Sequence, residues 1–341
     1  MKNGLIFTRC LTGAIALAVT SVAFAAADPV NIEAAQKEGK VAWYSSTPIK
    51  RAQQISTDFE KKYGIKVELF RSGGSAIVSR FGQEQAARHK GADVVTASDV
   101  TAFEQFVKQG AFIRFNPEGY EHVPASLRSP EGYYVAQRLN VISFYVRTDL
   151  VPASDRPKTW ESLLDPKYKG KMVMPNPSFS AQPLSVVGTL ASLKGWDYFK
   201  KLSANDVMVV KGNQQVVDMV NKGERPIAIS ADQSYGIVSA AQGHPVEIIT
   251  PTDGTFIISA PTGVVKGSEH PEAAKLLAQF MITKDVQNYL SSQGDYPSRD
   301  DIDPPKGSLR LKDMKIIPID FNYLKKSSQQ IKQTFNMTFL Q

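Results

Sequence analysis

Cysteine is almost absent from this 341-residue chain, in which Cys10 is the only one. One cysteine so close to the start excludes a disulfide framework, a cysteine-ligated metal and thiol catalysis from the rest of the chain. After Val22 the sequence also lacks any run of about 18 apolar residues, the length that a membrane-spanning helix requires. We therefore expect a soluble domain that is large enough to be held together by its hydrophobic core.

The motifs of catalysis are also missing. The four histidines show no metal-ligand spacing. Thr47 precedes Lys50 by three positions, superficially like a serine β-lactamase motif, but threonine replaces serine and no Lys-Thr-Gly follows. We therefore predict no catalytic residue, no cofactor and no bound metal, and we do not expect an enzyme.

Charge of one sign is not concentrated anywhere in the chain. The net charge is +7 with 21% charged residues, and it stays positive without Lys2 and Arg9. This balance describes a mildly basic surface and not a nucleic-acid-binding stripe. We expect no nucleic-acid partner, and a weak preference for anionic ligands.

The first 25 residues have the pattern of a secretory signal peptide. Lys2 and Arg9 form a positive region, an apolar run extends from Cys10 to Val22, and small residues follow up to Ala25 or Ala27. Cys10 lies at the start of the apolar run, whereas a lipid-anchored cysteine would come after it. We predict cleavage of residues 1–25 and export of a protein without a lipid anchor.

Strands and helices alternate in the first part of the remaining chain. Apolar runs at 41–44, 67–70 and 92–97 predict strands, and each is followed by a segment with helical spacing. Such alternation indicates a parallel sheet covered by helices, in which ligands bind beyond the carboxyl ends of the strands. All three ends carry small polar residues.

The most informative of these ends is Ser72-Gly73-Gly74-Ser75, between the second strand and its helix. Two glycines let the backbone approach a ligand, two serines offer hydroxyl groups, and N–H groups at a helix start attract negative charge. Arg71 adds a cation. This loop predicts a site for a phosphate, phosphonate, sulfonate or carboxylate, although a helix cap with a tight turn explains the same residues.

The second half repeats the alternation after a long extended segment. Residues 133–146 are rich in β-branched and aromatic side chains and are long enough to cross from one lobe to another. Strands at 172–174, 207–210 and 227–231 again end in polar loops. A second crossing is predicted at 254–259, a helix from Pro271 should pack back on the first lobe, and the helical spacing of Ile331, Phe335 and Phe339 predicts a helix outside a lobe.

In these features the chain resembles the type II periplasmic substrate-binding proteins of ABC importers, in particular extracellular solute-binding proteins for iron(III), phosphonates or sugar phosphates. The resemblance rests on 41–46, on Ser72 to Ser75, on 92–95, on 295–299 and above all on the segment from Trp160 to Lys171. It implies an α/β fold of two lobes, each a mostly parallel sheet flanked by helices, joined by two extended hinge crossings. We place lobe 1 at 28–138 plus 258–300, and lobe 2 at 139–257 plus 301–341.

The resemblance also implies a function. A periplasmic monomer would capture its ligand between the lobes and deliver it to an inner-membrane ABC permease. Ferric binders of this family carry two adjacent tyrosines after the strand equivalent to 227–231, whereas Tyr235 stands alone here, and Thr47-Pro48 stands where a histidine is expected. We therefore favour a small organic anion, with ferric iron in an atypical site, thiamine or a polyamine as alternatives.

Fourteen residues follow as candidate ligand contacts. They are the residues of the polar strand ends and helix starts, two arginines that can pair with an anion, and the loop after residue 231. The set is Ser46, Thr47, Arg71, Ser72, Gly74, Ser75, Ser98, Arg138, Ser178, Ser180, Gln214, Asp232, Gln233 and Tyr235.

Overall fold

The computed structural model describes residues 27–340, so the predicted signal peptide lies outside the described part of the chain. The strands are β1 (Lys40–Ser45), β2 (Lys66–Arg71), β3 (Val94–Thr96), β4 (Val135–Arg147), β5 (Met172–Pro175), β6 (Met208–Val210), β7 (Ile227–Asp232), β8 (Val246–Ile249), β9 (Ile257–Val264) and β10 (Tyr296–Pro297).

Helices connect and flank these strands. They are α1 (Ile32–Glu38), α2 (Ile49–Tyr63), α3 (Gly74–Ala86), α4 (Val100–Lys108), α5 (Ala181–Lys194), α6 (Trp196–Ser203), α7 (Asn213–Lys222), α8 (Gln233–Ala241), α9 (Pro271–Met281), α10 (Lys284–Ser292) and α11 (Phe321–Phe339). No helix among residues 27–340 combines the length and the apolar character needed to cross a membrane.

The strands form one continuous sheet in the order β2-β1-β3-β9-β4-β7-β5-β6, with β8 and β10 paired to β4. The β1, β2 and β3 strands are parallel, as are β5, β6 and β7, while β4 and β9 run antiparallel to their neighbours. The first half of β4 pairs with β9 and β10, and its second half pairs with β7 and β8. The predicted crossing therefore exists, and β4 is shared by the two lobes.

Each lobe has its own hydrophobic core. In the first lobe, Trp43 of β1 and Phe59 of α2 pack with Leu277 of α9, so the prediction that the helix after Pro271 returns to this lobe is confirmed. In the second lobe, Trp160 and α5 pack with Phe335 of α11, which confirms the predicted outer C-terminal helix. The residue boundaries given above for the lobes stay a prediction.

Two local signals set the bounds of α2. Pro48 precedes the first helical residue, where its missing N–H group costs no hydrogen bond. Gly64 ends the helix with a φ of 72°, a left-handed conformation that glycine adopts without steric penalty. The strand β1 and the helix α2 thereby leave Ser46 to Pro48 as a short turn at the carboxyl edge of the sheet.

Candidate functional site

A cavity of about 650 Å³ lies between the lobes, at the carboxyl ends of the parallel strands, and we call it the cleft. Residues of both lobes line it. They are Ser46, Pro48, Arg71 to Ala76, Ser98, Arg138, Asn140, Pro175, Ser178 to Ser180, Gln182, Pro183, Lys211 to Gln215, Asp232 and Tyr235. This volume suits a small organic molecule.

The first lobe presents the start of α3 to the cleft. Gly73 is the N-cap residue, and no side chain of the described residues caps this helix. Gly74, Ser75 and Ala76 of its first turn all line the cleft. The first N–H groups of a helix have no partner inside the helix and carry partial positive charge. The start of α3 is therefore suited to an anion, and Ser72 does not act as its cap.

The second lobe presents the starts of α5 and α7 to the same cleft. Ser180 caps α5 by accepting a hydrogen bond from the N–H of Gln182. Gly212 precedes α7, and within the described chain no side chain caps that helix. Two uncapped helix starts, one from each lobe, thus line one cavity.

The side chains that line the cleft carry three cations and one anion. The cations are Arg71, Arg138 and Lys211, and the anion is Asp232. Arg71 is held near the turn after β1, because its Nε donates to the carbonyl oxygen of Thr47 at 3.0 Å. The balance of formal charge is positive and adds to the effect of the helix starts.

Arg138 belongs to a buried cluster of charged residues that joins the two lobes. Nη1 of Arg51 donates to Oδ2 of Asp295 at 2.8 Å and to Oγ of Ser234 at 3.1 Å, which links α2 of the first lobe to α8 of the second. Nε of Arg138 lies 3.6 Å from Oδ1 of Asp295. Burial acts to lower the pKa of Arg51, but the carboxylates of Asp295 and Asp232 outweigh it and that pKa is raised. Burial lowers the pKa of Arg138, and the carboxylates of Asp295 and Asp232 oppose that shift.

Asp232 is the acidic group that faces the cleft. Its side chain caps α8, with Oδ1 accepting from the N–H of Ser234 at 3.0 Å. Only 4% of the residue is exposed. Burial, together with the nearby charge of Asp295, raises the pKa of Asp232 to about 6, although Arg51 opposes the shift. A carboxylate held at this cost in solvation is suited to a cationic or hydroxyl group of a ligand.

The lobes touch at one rim of the cleft. A Cβ atom placed on Gly73 would lie 3.4 Å from the carbonyl oxygen of Phe179. The Phe179 loop is a fixed turn, since the N–H of Ser178 donates to Oδ1 of Asn176 at 2.8 Å. The Phe179 ring is 46% exposed, and the ammonium group of Lys211 lies 5.5 Å from its centroid. The backbone of Gly73 has a φ of −64°, which any residue can adopt, and a single Cβ atom would still fit against Phe179.

All of the fourteen sequence-predicted residues except Thr47 and Gln233 line the cleft. Thr47 is fully buried behind the lining, where its hydroxyl group accepts from Nη1 of Arg138 at 2.9 Å. Gln233 is buried as well and accepts from Oγ of Ser143 at 3.0 Å. Direct contact between either side chain and a ligand therefore has no support in this geometry.

Several lining residues escaped the sequence analysis. Asn140 lies within β4 among mostly apolar residues, and its Nδ2 donates to Oγ of Ser98 at 3.0 Å. Phe179 and Lys211 form the rim, and Gln182 and Asn213 are joined by a hydrogen bond. A weak signal existed for the last four, because they stand in the loops that follow β5 and β6 or in the first turn of the helix after each loop.

The one group of metal-ligand type found among residues 27–340 lies outside the cleft. His122, Asp300 and Asp301 come together at the surface. Asp301 already pairs with Arg299 and Lys284, and its hydrogen bond with Arg299 holds its pKa well below the usual range. The charge of Asp301 is thus already balanced by cations of the protein.

The fold and this cleft define a two-lobed binding protein. The chain belongs to the bacterial extracellular solute-binding proteins, since the model of that family matches residues 90–327. Proteins of this family serve transport by binding solutes, which confirms that the chain is not an enzyme and that it is a solute-binding component of an ABC transporter.

Known proteins share the fold and differ in ligand. A putative 2-aminoethylphosphonate-binding periplasmic protein of Salmonella paratyphi A is 26% identical over 78% of this chain and 77% of its own. The AfuA structure from Actinobacillus pleuropneumoniae, with fructose-6-phosphate bound, has a TM-score of 0.78 at 21% identity and covers 89% of this chain and 99% of its own. The structure of iron-bound HitA from Pseudomonas aeruginosa has a TM-score of 0.75 at 18% identity, and the match covers 88% of this chain and 99% of HitA. These likenesses confirm the predicted two-lobed fold.

Proposed function

We propose that this protein captures a small organic anion, such as a phosphonate or a sugar phosphate, and delivers it to an inner-membrane ABC permease. The observation that carries the proposal is the meeting of the uncapped starts of α3 and α7 in one cavity with Arg71, Arg138 and Lys211. Hydrogen bonds to a charged group contribute about 1.5–3 kcal/mol each. Three or four converging donors are therefore enough for micromolar binding, which is about 8 kcal/mol.

Asp232 narrows the choice of compounds. Its buried carboxylate favours an anion that also carries an amine or a hydroxyl group, since either can donate to it. The Salmonella relative is named for 2-aminoethylphosphonate, and AfuA was solved with fructose-6-phosphate. These two compounds are the first to test.

We further propose that the protein acts as a monomer in the periplasm. The signal-peptide pattern of residues 1–25 and the relatives that are named periplasmic support this location. Closure of the lobes on the ligand would then produce the form that the permease recognises.

The test is a thermal-shift panel of phosphonates, sugar phosphates, sulfonates, carboxylates, thiamine, polyamines and ferric citrate. A ligand that binds the folded state raises the melting temperature. We expect an organic anion to give the shift and Gly74→Val to abolish it, because the valine would stand between the α3 start and Ser46, whose Cβ lies 4.0 Å from the position of an added Cβ.

Ala86→Val, at the exposed end of the same helix, is the matched control and should keep the shift. A shift from thiamine or a polyamine alone, or an anion shift that survives Gly74→Val, contradicts the proposal. Ferric iron is tested by the absorbance of a tyrosinate-to-iron complex; Tyr235 is the only tyrosine among the described residues that line the cleft. A strong band with one-to-one binding would reverse our ranking.

A further inference from the structure

Three residues that line the cleft have a buried side-chain polar atom without a hydrogen-bond partner among residues 27–340, and they are Gln182, Ser178 and Arg138. Gln182 lies in the first turn of α5 and is 5% exposed. Its Nε2 atom has no hydrogen-bond partner among residues 27–340, yet the residue lines the cleft. Leaving a buried donor without a partner costs about 1–3 kcal/mol. A ligand in the cleft is the partner that the position of this amide suggests.

Two hydrogen bonds determine which end of this amide is engaged by the protein and which end is left for a ligand. The backbone N–H of Asp232 donates to Oδ1 of Asn213 at 3.1 Å. Nδ2 of Asn213 in turn donates to Oε1 of Gln182 at 3.2 Å. A backbone N–H group can only donate, so Oδ1 of Asn213 must face it and Nδ2 must face Gln182. Rotating either amide by half a turn would set donor against donor or acceptor against acceptor.

The side chain of Gln182 is therefore a hydrogen-bond donor of fixed orientation in the second lobe. Asp232, Asn213 and Gln182 stand at the starts of α8, α7 and α5, so the chain of hydrogen bonds runs across three helix starts. Ser180 holds the first turn of α5 by its cap. Gln182 thereby presents N–H and not C=O to the ligand, which suits an oxygen of an oxyanion.

We propose that Gln182 binds the ligand by donating from Nε2 to an oxygen of its anionic group, and that Asn213 is a positioning residue that acts through Gln182. This inference rests on the proposed function and deepens it, because it assigns the second-lobe contact. It also explains why an amide and not a carboxylate stands at position 182.

The binding test uses titration calorimetry with 2-aminoethylphosphonate and with fructose-6-phosphate. Gln182→Glu keeps the size of the side chain but replaces the donor by a charged acceptor, so the affinity should fall at least about tenfold. Gln105→Glu is the control. It makes the same change of charge at an exposed position of α4, outside the residues that line the cleft.

The control should lose no more than about threefold, as expected for an exposed charge without a direct contact. Equal losses of affinity in the two variants would mean that the added negative charge alone weakens binding, and this would overturn the role of Gln182. Tight binding by Gln182→Glu would overturn it as well.

The positioning role is tested by a double-mutant cycle. Asn213→Ala frees the Gln182 amide to rotate and should weaken binding several-fold. In the background of Gln182→Met, which has no amide to orient, the same change at Asn213 should have no further effect. Additive losses would show that Asn213 acts by another route and would refute the positioning role.

A measurement without ligand separates this inference from the proposed function. The backbone amide of Asp232 should exchange slowly with solvent, and Asn213→Ala should make it exchange faster. Suppose that the Asp232 amide exchanges faster in Asn213→Ala but neither 2-aminoethylphosphonate nor fructose-6-phosphate binds. The chain of hydrogen bonds would then be supported, but the proposed function and the role of Gln182 would both be refuted. Oxyanion binding with unchanged exchange in Asn213→Ala would refute the inference alone.

Discussion

Replacing Asp232 by asparagine should stabilise the folded protein at neutral pH. The raised pKa of this buried carboxyl group, about 6 against an ordinary 3.8, means that the folded state binds its proton more tightly than the unfolded chain does. The contribution of Asp232 to stability is therefore greatest below pH 4, falls as the pH rises from 4 to 6, and is constant above that range. A difference of this size corresponds to about 3 kcal/mol.

Asparagine removes the charge and keeps the other contacts. It has nearly the same shape, and its Oδ1 can still accept from the N–H of Ser234 and cap α8. At pH 4 the variant and the wild type should have similar free energies of unfolding, because Asp232 is then neutral. Between pH 4 and pH 7 the advantage of the variant should grow by about 3 kcal/mol and then stay constant.

The assay is urea unfolding of both proteins at pH 4, 5, 6, 7 and 8 in the absence of ligand. Asp320→Asn is the control, since Asp320 caps α11 in the same way but is exposed. The difference in free energy of unfolding between Asp320→Asn and wild type should not grow with pH. A difference between Asp232→Asn and wild type that is flat or shrinks from pH 4 to pH 7 would refute the reasoning. The same substitution should weaken binding of 2-aminoethylphosphonate, so that stability and function change in opposite directions.

Three further predictions concern the surroundings of the cleft. Asp295→Asn removes the carboxylate that pairs with the buried Arg51 and Arg138 and leaves Asp232 as their remaining counter-charge, so it should cost about 3–5 kcal/mol in urea unfolding; an unchanged midpoint would contradict this. Gly188→Ala places a Cβ 2.4 Å from a side-chain carbon of α11, so it should loosen that helix, cost about 1–3 kcal/mol and speed its proteolysis; equal cleavage rates would argue against it. Gly73→Leu should hold the lobes apart at Phe179 and speed ligand release in stopped-flow, whereas Gly73→Ala, whose Cβ fits at 3.4 Å, should release ligand at the wild-type rate.

The sequence predicted the elements whose signals are local. The α2 helix lies between Pro48 and Gly64, and both of these boundary residues can be recognised in the sequence. The long β4 strand was visible from the β-branched and aromatic residues spread along it. Small polar residues at the strand ends pointed to the cleft, because the topology of a parallel sheet brings those ends together.

The parts that the sequence did not predict depend on distant pairs. Arg51 and Asp295 are 244 positions apart, and neither carries a mark that distinguishes it from a surface charge. Gln182 and Asn213 are polar residues at helix starts, where solvent-exposed caps are common. Thr47 was predicted as a contact because its strand end is polar, but its side chain turns inward to Arg138.

The first lobe is completed by residues that come late in the chain. The N–H of Ala273 in α9 donates to Glu38, 235 positions earlier, and α9 fills the core beneath β1 and α2. Closing so long a loop is entropically costly and slow. A chain synthesised from its amino terminus therefore cannot finish its first lobe until α9 has emerged, whereas the strands β5 to β8 can already pair. The second lobe needs α11 for its own core, so neither lobe is complete until the last quarter of the chain has been made.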